Sequence, residues 1–230
     1  MIHITHLTKT YGKARGVTDL TLHVPKGGCF GFIGPNGAGK STTIRTLLGL
    51  ISPTAGSAKV LGLDCVKART AILAQVGYMP SEAMFYPEMR VSEVIRLSAD
   101  LRRRDCQKEA KALCEVLDLD GRKKIRELSL GNRKKVSIVC AMQHRPRLYI
   151  LDEPTSGLDP LVQRAFWSEL EQRKREGATV FLSSHVLYEV QRYCDRTAII
   201  REGRLLVEGT VEELDIENKF FDYYEGRTVS

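Results

Sequence analysis

The 230-residue sequence predicts an α/β fold: a mostly parallel core, an antiparallel N-terminal sheet and one inserted helical segment. Three observations predict it. Residues 2–33 read almost entirely as strands, a glycine-rich loop then joins a strand to a helix, and from about residue 82 three helical patterns follow one another with no strand between them.

The elements follow in order. "IHIT" and "VTDLTLHV" alternate apolar and polar residues, and "PKGG" turns the chain into the apolar run "CFGFIG". After the glycine-rich loop, "KSTTIRTLLGL" spaces apolar residues helically and ends near a glycine. "SAKVLGL" and "AQVGYMP" are short strands. "VSEVIRLSADLRRR" sets Val94, Leu97 and Leu101 on one helical face, and "KEAKALCEVLDL" does the same with Leu113, Val116 and Leu117. "NRKKVSIVCAMQHR" follows with Val136, Val139 and Cys140. Next come a buried-strand run, "RLYILDE", and a helix, "PLVQRAFWSELEQRKREG", with proline near its start and glycine past its end. "ATVFLSSH" is a strand, "RTAIIREG" and "RLLVEG" pair as a hairpin, and "TVEEL" opens a short capped helix. There is no internal repeat and no low-complexity linker.

Composition narrows the function classes. At 43% hydrophobic residues the chain can bury a core. No run approaches the roughly 18 apolar residues of a membrane span, and the first residues lack the apolar stretch of a signal peptide. A membrane role is therefore expected to need a partner. The six cysteines form no CxxC pair and have no histidine at zinc-finger spacing, which reads as free thiols in a reducing compartment. The formal net charge is +7, and residues 82–145, with 15 Lys+Arg against 10 Asp+Glu, carry +5 of it. In that stretch "LSLGNRKKVS" poses a choice: Arg133, Lys134 and Lys135 as a nucleic-acid patch, or Ser129 and Gly131 ahead of a helix as half of a phosphate site.

"GPNGAGKS", residues 34–41, fills every fixed position of GxxxxGK[ST] between a strand and a helix. Its glycines let backbone N–H groups turn toward phosphate oxygens, and the helix N-terminus adds its positive end. Lys40 is placed to reach the β- and γ-phosphates, and the Ser41 hydroxyl to bind Mg²⁺. In "LYILDEPTSGLDP", Asp152 ends an apolar strand and can hold the metal ion, whereas Glu153 can polarise a water as general base. His185, after "TVFLSS", is a candidate for contacting the γ-phosphate.

Over residues 2–215 or so, these motifs resemble the ATP-binding cassette (ABC) ATPases. The resemblance assigns Tyr11 in "KTYG" to stacking on adenine. It makes Gly34, Asn36, Gly37, Ala38, Gly39, Lys40, Ser41 and Thr42 the Walker A nucleotide contacts, and "LYILDE" the Walker B strand. "SGLDP" corresponds to the D-loop around Asp159, "SSH" to the switch histidine at His185, and "LSLGN" to the signature, with Ser129, Gly131 and Asn132 at its phosphate. Two departures stand out. Leu130 and Asn132 replace the signature's first glycine and its glutamine, and the Q-loop glutamine falls at Ser81, with Glu82 beside it.

The resemblance implies the ABC ATPase fold: a P-loop NTPase core with an antiparallel N-terminal β-subdomain and an inserted helical subdomain. It makes the chain a single ABC ATPase domain, with residues 1–81 and 146–215 as catalytic core, 82–145 as helical subdomain and 216–230 as a C-terminal tail without an assigned role. The cofactors implied are ATP and Mg²⁺. The implied function is the ATP-hydrolysing subunit of an ABC-2-type exporter, cytoplasmic and held at the inner face of the membrane by a separate integral membrane permease. "YPEMRVSEV", residues 86–94, is the candidate permease-facing surface. Two copies, or this chain and a second ABC ATPase, would close head to tail on ATP, each site joining Lys40, Ser41, Asp152, Glu153 and His185 of one subunit to Ser129 and Gly131 of the other. The alternatives are a soluble ABC-type ATPase acting on ribosomes or nucleic acid, for which the charge of residues 82–145 is the only support, and a non-hydrolysing regulatory subunit, suggested by Ser81.

Overall fold

The computed structural model describes residues 1–12 and 14–225, and their contacts group into two units, Met1–Leu73 with the chain from Thr179 onward, and Ala74–Ala178. The elements, in chain order, are β1 (Ile2–Tyr11), β2 (Ala14–Val24), β3 (Gly28–Ile33), α1 (Lys40–Leu47), β4 (Ala55–Val60), β5 (Leu63–Asp64) and α2 (Arg69–Gln75). Then come β6 (Val76–Met79), α3 (Val91–Asp100), α4 (Gln107–Val116), α5 (Leu130–Met142), β7 (Leu148–Asp152) and α6 (Pro160–Arg175). The last are β8 (Thr179–Ser184), α7 (Leu187–Tyr193), β9 (Arg196–Arg201), β10 (Arg204–Thr210) and α8 (Ile216–Glu225).

In the first unit, β2-β1-β4-β5 form an antiparallel sheet. Ile2 pairs with Val24 and Val60, and Ile4 with Leu22 and Ala58; all six are buried, so the strand alternation closes one apolar face. A second set of strands runs β10-β9-β3-β8, with β3 parallel to both β8 and β9 and β10 antiparallel to β9. Buried β3 reads as an uninterrupted apolar run, as a strand covered on both faces must. Phe181 of β8 lies 5.5 Å from Phe32 and 6.0 Å from Phe30, ring centroid to ring centroid.

In the second unit, β6 and β7 pair in parallel, from Val76↔Leu148 to Met79↔Leu151. Helix α5 packs on β6 so closely that a Cβ on Gly77 would sit 2.4 Å from the Ala141 carbonyl oxygen. Val136, Ile138, Val139, Ala141 and Met142 of α5 are all buried, so this helix is enclosed on most of its circumference.

Several local expectations are corrected. Leu97, Leu101 and Val116 are exposed, and Cys140 is half-buried. The buried face of α3 is Val91, Val94, Ile95 and Ala99, because the helix starts at Val91 and Leu101 lies past its end. In α4 the buried row is Ala110 and Leu113, continued by Leu117 just past the helix. "TVEEL" forms the two reciprocal Thr210–Glu213 bonds, each 3.0 Å, yet 211–215 are turns. Asp215 has φ 42, so the helix begins only at Ile216. The short helices α2 and α7 are not among the elements that the sequence patterns predict. In the tail, Phe220 and Tyr223 are half-buried and Phe221 is exposed, whereas the Tyr224 ring and residues 226–230 lie outside the described residues.

Candidate functional site

The phosphate loop leaves the carboxyl end of β3, where parallel sheets place their ligand crevices. Gly39, with φ 105, caps α1; a Cβ there would stand 2.8 Å from the Gly16 carbonyl oxygen. The back of the loop is anchored by Gly203, whose N–H donates to the Ala38 carbonyl at 2.9 Å. Lys40 is buried, and its ammonium donates to the loop carbonyls of Gly34 at 2.5 Å and Pro35 at 3.2 Å. Asn36 and Gly37 are exposed, and Ser41 and Thr42 are half-buried at the first turn of α1. No acidic side chain occupies that turn, so the positive end of α1 remains available to an anion.

His185 follows directly on β8, which runs beside β3 with Ile33 opposite Ser184. The Gly34 N–H donates to the Ser184 carbonyl at 3.4 Å, so the start of the phosphate loop and the histidine turn are tied to each other. Ser184 then shapes that turn. Its hydroxyl donates to buried Glu189 at 2.7 Å and accepts from the Val186 N–H at 3.0 Å, leaving His185 exposed. Tyr11, at the end of β1, is 46% exposed and holds the Lys9 ammonium 5.3 Å from its ring centroid.

In the second unit, the parallel pair β6 and β7 delivers Ser81 and the Asp152–Glu153 pair from the same ends of neighbouring strands. Asp152 is buried and Glu153 half-buried. Glu153 has φ 50, a left-handed backbone that costs a non-glycine residue about 1–3 kcal/mol and persists only where surrounding structure enforces it. Part of that enforcement is Lys134. Only 4% exposed, it donates to the Ser81 carbonyl at 2.8 Å and the Glu153 carbonyl at 2.9 Å. Burial pushes its pKa down, while the charges of Asp152, Glu153 and Glu82 push back up.

The signature stretch opens α5. Ser129 is its N-cap and accepts from the Asn132 N–H at 3.3 Å, which leaves the Ser129 O–H free to donate. A cavity of about 390 Å³ lies here, lined by Ser129, Gly131, Asn132 and Asp159 among others. The Asp159 carboxylate is engaged as N-cap of α6, accepting from Leu161 N–H at 3.1 Å and Val162 N–H at 3.0 Å. Of the three cations that read as a patch, Arg133 is exposed, but Lys134 and Lys135 are buried, the latter pointing to the Asp118 carbonyl at 3.5 Å. Met84 and Tyr86, after β6, are exposed.

Sequence reasoning missed Lys134 and the Ser184–Glu189 pair. A signal for Lys134 existed: it precedes Ile138 and Ala141 at helical spacing, on the buried side of α5. Among the described residues no three His, Cys, Asp or Glu side chains cluster as a metal site, and none of the six cysteines, all buried or half-buried, forms a disulfide. No helix among those residues is long and apolar enough to cross a membrane.

Comparison with known proteins adds four findings. The ABC transporter family model matches residues 17–156. The bacitracin transport ATP-binding protein BcrA of Bacillus licheniformis is 37% identical over 228 residues, spanning 95% of this chain and 72% of BcrA. The probable multidrug ABC transporter ATP-binding protein YbhF of Escherichia coli (strain K12) is 32% identical over 223 residues; the match covers 95% of this chain but only 38% of YbhF. A solved structure of the ATP-binding subunit of an ABC transporter superposes with a TM-score of 0.90 at 30% identity, over 98% of each chain.

Proposed function

Because this chain belongs to the ABC transporter family, we propose that it binds and hydrolyses ATP to drive export through a separate membrane permease. The observation that carries the proposal is the phosphate loop: a buried lysine, folded onto its own loop's carbonyls, at a helix N-terminus free of acidic side chains. On binding ATP, Lys40 exchanges those carbonyls for β- and γ-phosphate oxygens, and the N–H groups from Gly37 to Thr42 line the remaining oxygens. Tyr11 stacks on the adenine. Glu153 orients the attacking water and accepts its proton, and His185 donates to the γ-phosphate.

The donors present suit Mg²⁺. Ser41 in the first unit and Asp152 in the second each offer a hard oxygen, and no cluster of three protein ligands exists among the described residues. These are the two side chains that would hold Mg²⁺, an ion that prefers few protein oxygens, and when bound it would neutralise charge on the phosphates.

We assign Ser129, Gly131 and Asn132, with Asp159 nearby, to the γ-phosphate held by a second ABC ATPase subunit, identical or homologous. ATP would then join the two head to tail. Residues 1–81 and 146–215 are read as catalytic core and 82–145 as helical subdomain, with the exposed residues at 86–94 receiving the permease. That partner places the chain on the cytoplasmic face of the membrane. A transport role is supported by the names of BcrA and YbhF, which concern bacitracin and multidrug transport in those proteins, and the export direction by the name of the Nod factor export ATP-binding protein I of Paraburkholderia xenovorans (strain LB400), 33% identical over 218 residues. Burial of Lys134 and Lys135 takes two of the three cations from the "NRKK" patch, which weighs against the nucleic-acid reading.

Steady-state ATP hydrolysis tests the assignment. Glu153→Gln is expected to lower kcat by about a hundredfold or more while ATP still binds. A Glu153→Gln protein hydrolysing at the wild-type rate overturns the general base. Purification from gently solubilised cells should bring down a polytopic membrane protein; ribosomes or DNA in its place would overturn the transporter role.

A further inference from the structure

We propose that Lys134 is a positioning residue for ATP hydrolysis, joining the backbone of Glu153 to the backbone of Ser81 so that the two loops at the ends of β6 and β7 hold one arrangement. The proposal rests on Glu153 being the general base. Three observations lead to it, all within the second unit.

First, Lys134 is almost wholly buried, and a buried ammonium, which can only donate, needs oxygen acceptors. Second, two of those acceptors are main-chain carbonyls from loops far apart in sequence, Ser81 at 2.8 Å and Glu153 at 2.9 Å. A lysine that merely filled the core could be satisfied by its own helix or by a carboxylate. This one reaches the first residues past Pro80 and past Asp152. Third, Glu153 has a left-handed backbone at φ 50, a conformation that requires outside support, and the Lys134 bond falls on that same residue's carbonyl.

The consequence is a division of labour. The direction in which the Glu153 side chain leaves the backbone depends on that backbone conformation, and a general base tolerates little misplacement. Ser81 has only a short hydroxymethyl side chain, so a link from its loop to Glu153 through Lys134 uses the main chain instead. A shift of the Ser81 loop would therefore be transmitted to Glu153 through one ammonium group.

The test uses the full-length chain, with kcat, KM for ATP, nucleotide affinity and thermal midpoint measured for Lys134→Met, Lys134→Arg and Glu153→Gln. Methionine keeps the length and apolar stem but donates nothing. Lys134→Met is expected to lose at least about tenfold in kcat with KM and nucleotide affinity within about threefold of wild type, and Lys134→Arg to recover most of the rate. Two results would overturn the proposal while leaving Glu153 as base. One is a Lys134→Met kcat within about twofold of wild type alongside inactive Glu153→Gln. The other is a parallel loss of affinity, thermal midpoint and rate in both Lys134 variants, the behaviour of a packing lysine. If Glu153→Gln itself hydrolyses normally, the base assignment falls and takes this proposal with it. Should Lys134→Met fail to fold, Lys134→Gln, which removes the charge and shortens the reach, is judged by the same criteria.

Discussion

A single methyl group at Gly39 would approach the Gly16 carbonyl oxygen to 2.8 Å, on a backbone at φ 105 that disfavours any L side chain. Gly39→Ala is therefore expected to lower folding stability by about 1–2 kcal/mol and to abolish ATP binding, read by chemical denaturation and nucleotide titration. Another single-residue effect is electrostatic. His144 is buried, with Nε2 3.3 Å from the Val76 carbonyl oxygen. Burial first, then the nearby Arg102 charge, hold its pKa down at about 4, against 6.5 for an unburied imidazole. Between these values the unfolded chain binds a proton that the native chain refuses, so stability rises with pH. The contribution is complete above pH 6.5 and is lost as pH falls through 4, by an amount of order 3 kcal/mol. Urea midpoints of wild type and His144→Gln across that range should converge toward acid; parallel curves would remove His144 as the cause.

At the scale of elements, α6 shows how one residue can hold a helix. Asp159 and Pro160 start it and Gly177 follows it. Near its end, buried Arg173 pairs with Glu109 at the start of α4, with Glu169 one turn back at 3.4 Å, and with Glu176 at 3.6 Å. Removing the guanidinium takes the one cation common to all three carboxylates and leaves Arg145, 3.5 Å from Glu109 and 3.3 Å from Glu176, to two of them. Arg173→Met is expected to cost about 3 kcal/mol, measured as a lower urea midpoint with unchanged slope. The helical periods, the hairpin and the cap of α6 were legible because they depend on neighbours in sequence. The exposure of Leu97, Leu101 and Val116 was not. A helix's apolar residues span more than one row, and which row is buried depends on where its partners approach. Likewise, the Thr210–Glu213 capping pair formed as its spacing implies, yet the helix waits until Ile216 because Asp215 takes a left-handed turn.

For the molecule as a whole, the expected behaviour is association controlled by nucleotide. If Ser129, Gly131 and Asn132 bind the γ-phosphate of a second subunit, dimer stability must depend on that phosphate by mass action. Glu153→Gln with Mg-ATP at micromolar concentration should sediment as a dimer, and with Mg-ADP as a monomer. Equal association with both nucleotides would count against the signature's role. Of the net charge of +7, Lys134 is turned inward onto the carbonyls of Ser81 and Glu153, and Lys135 lies against the Asp118 carbonyl at the wall of the signature cavity.

Apart from the short helices α2 and α7, the order of strands and helices, the phosphate loop, the strand-end carboxylates and the signature could be read from the sequence alone. Each is specified by local spacing: period two or near four for burial, glycines and a lysine at set intervals for phosphate. The tertiary structure alone decided what long-range contact decides. It turned two apparent surface lysines into buried donors, and it joined Ser81 to Glu153 through one of them. It also drew α5 so near β6 that residue 77 has no room for a side chain. A lysine's charge is evident from its letter, but whether it faces water or a buried carbonyl depends on chain segments far away in sequence.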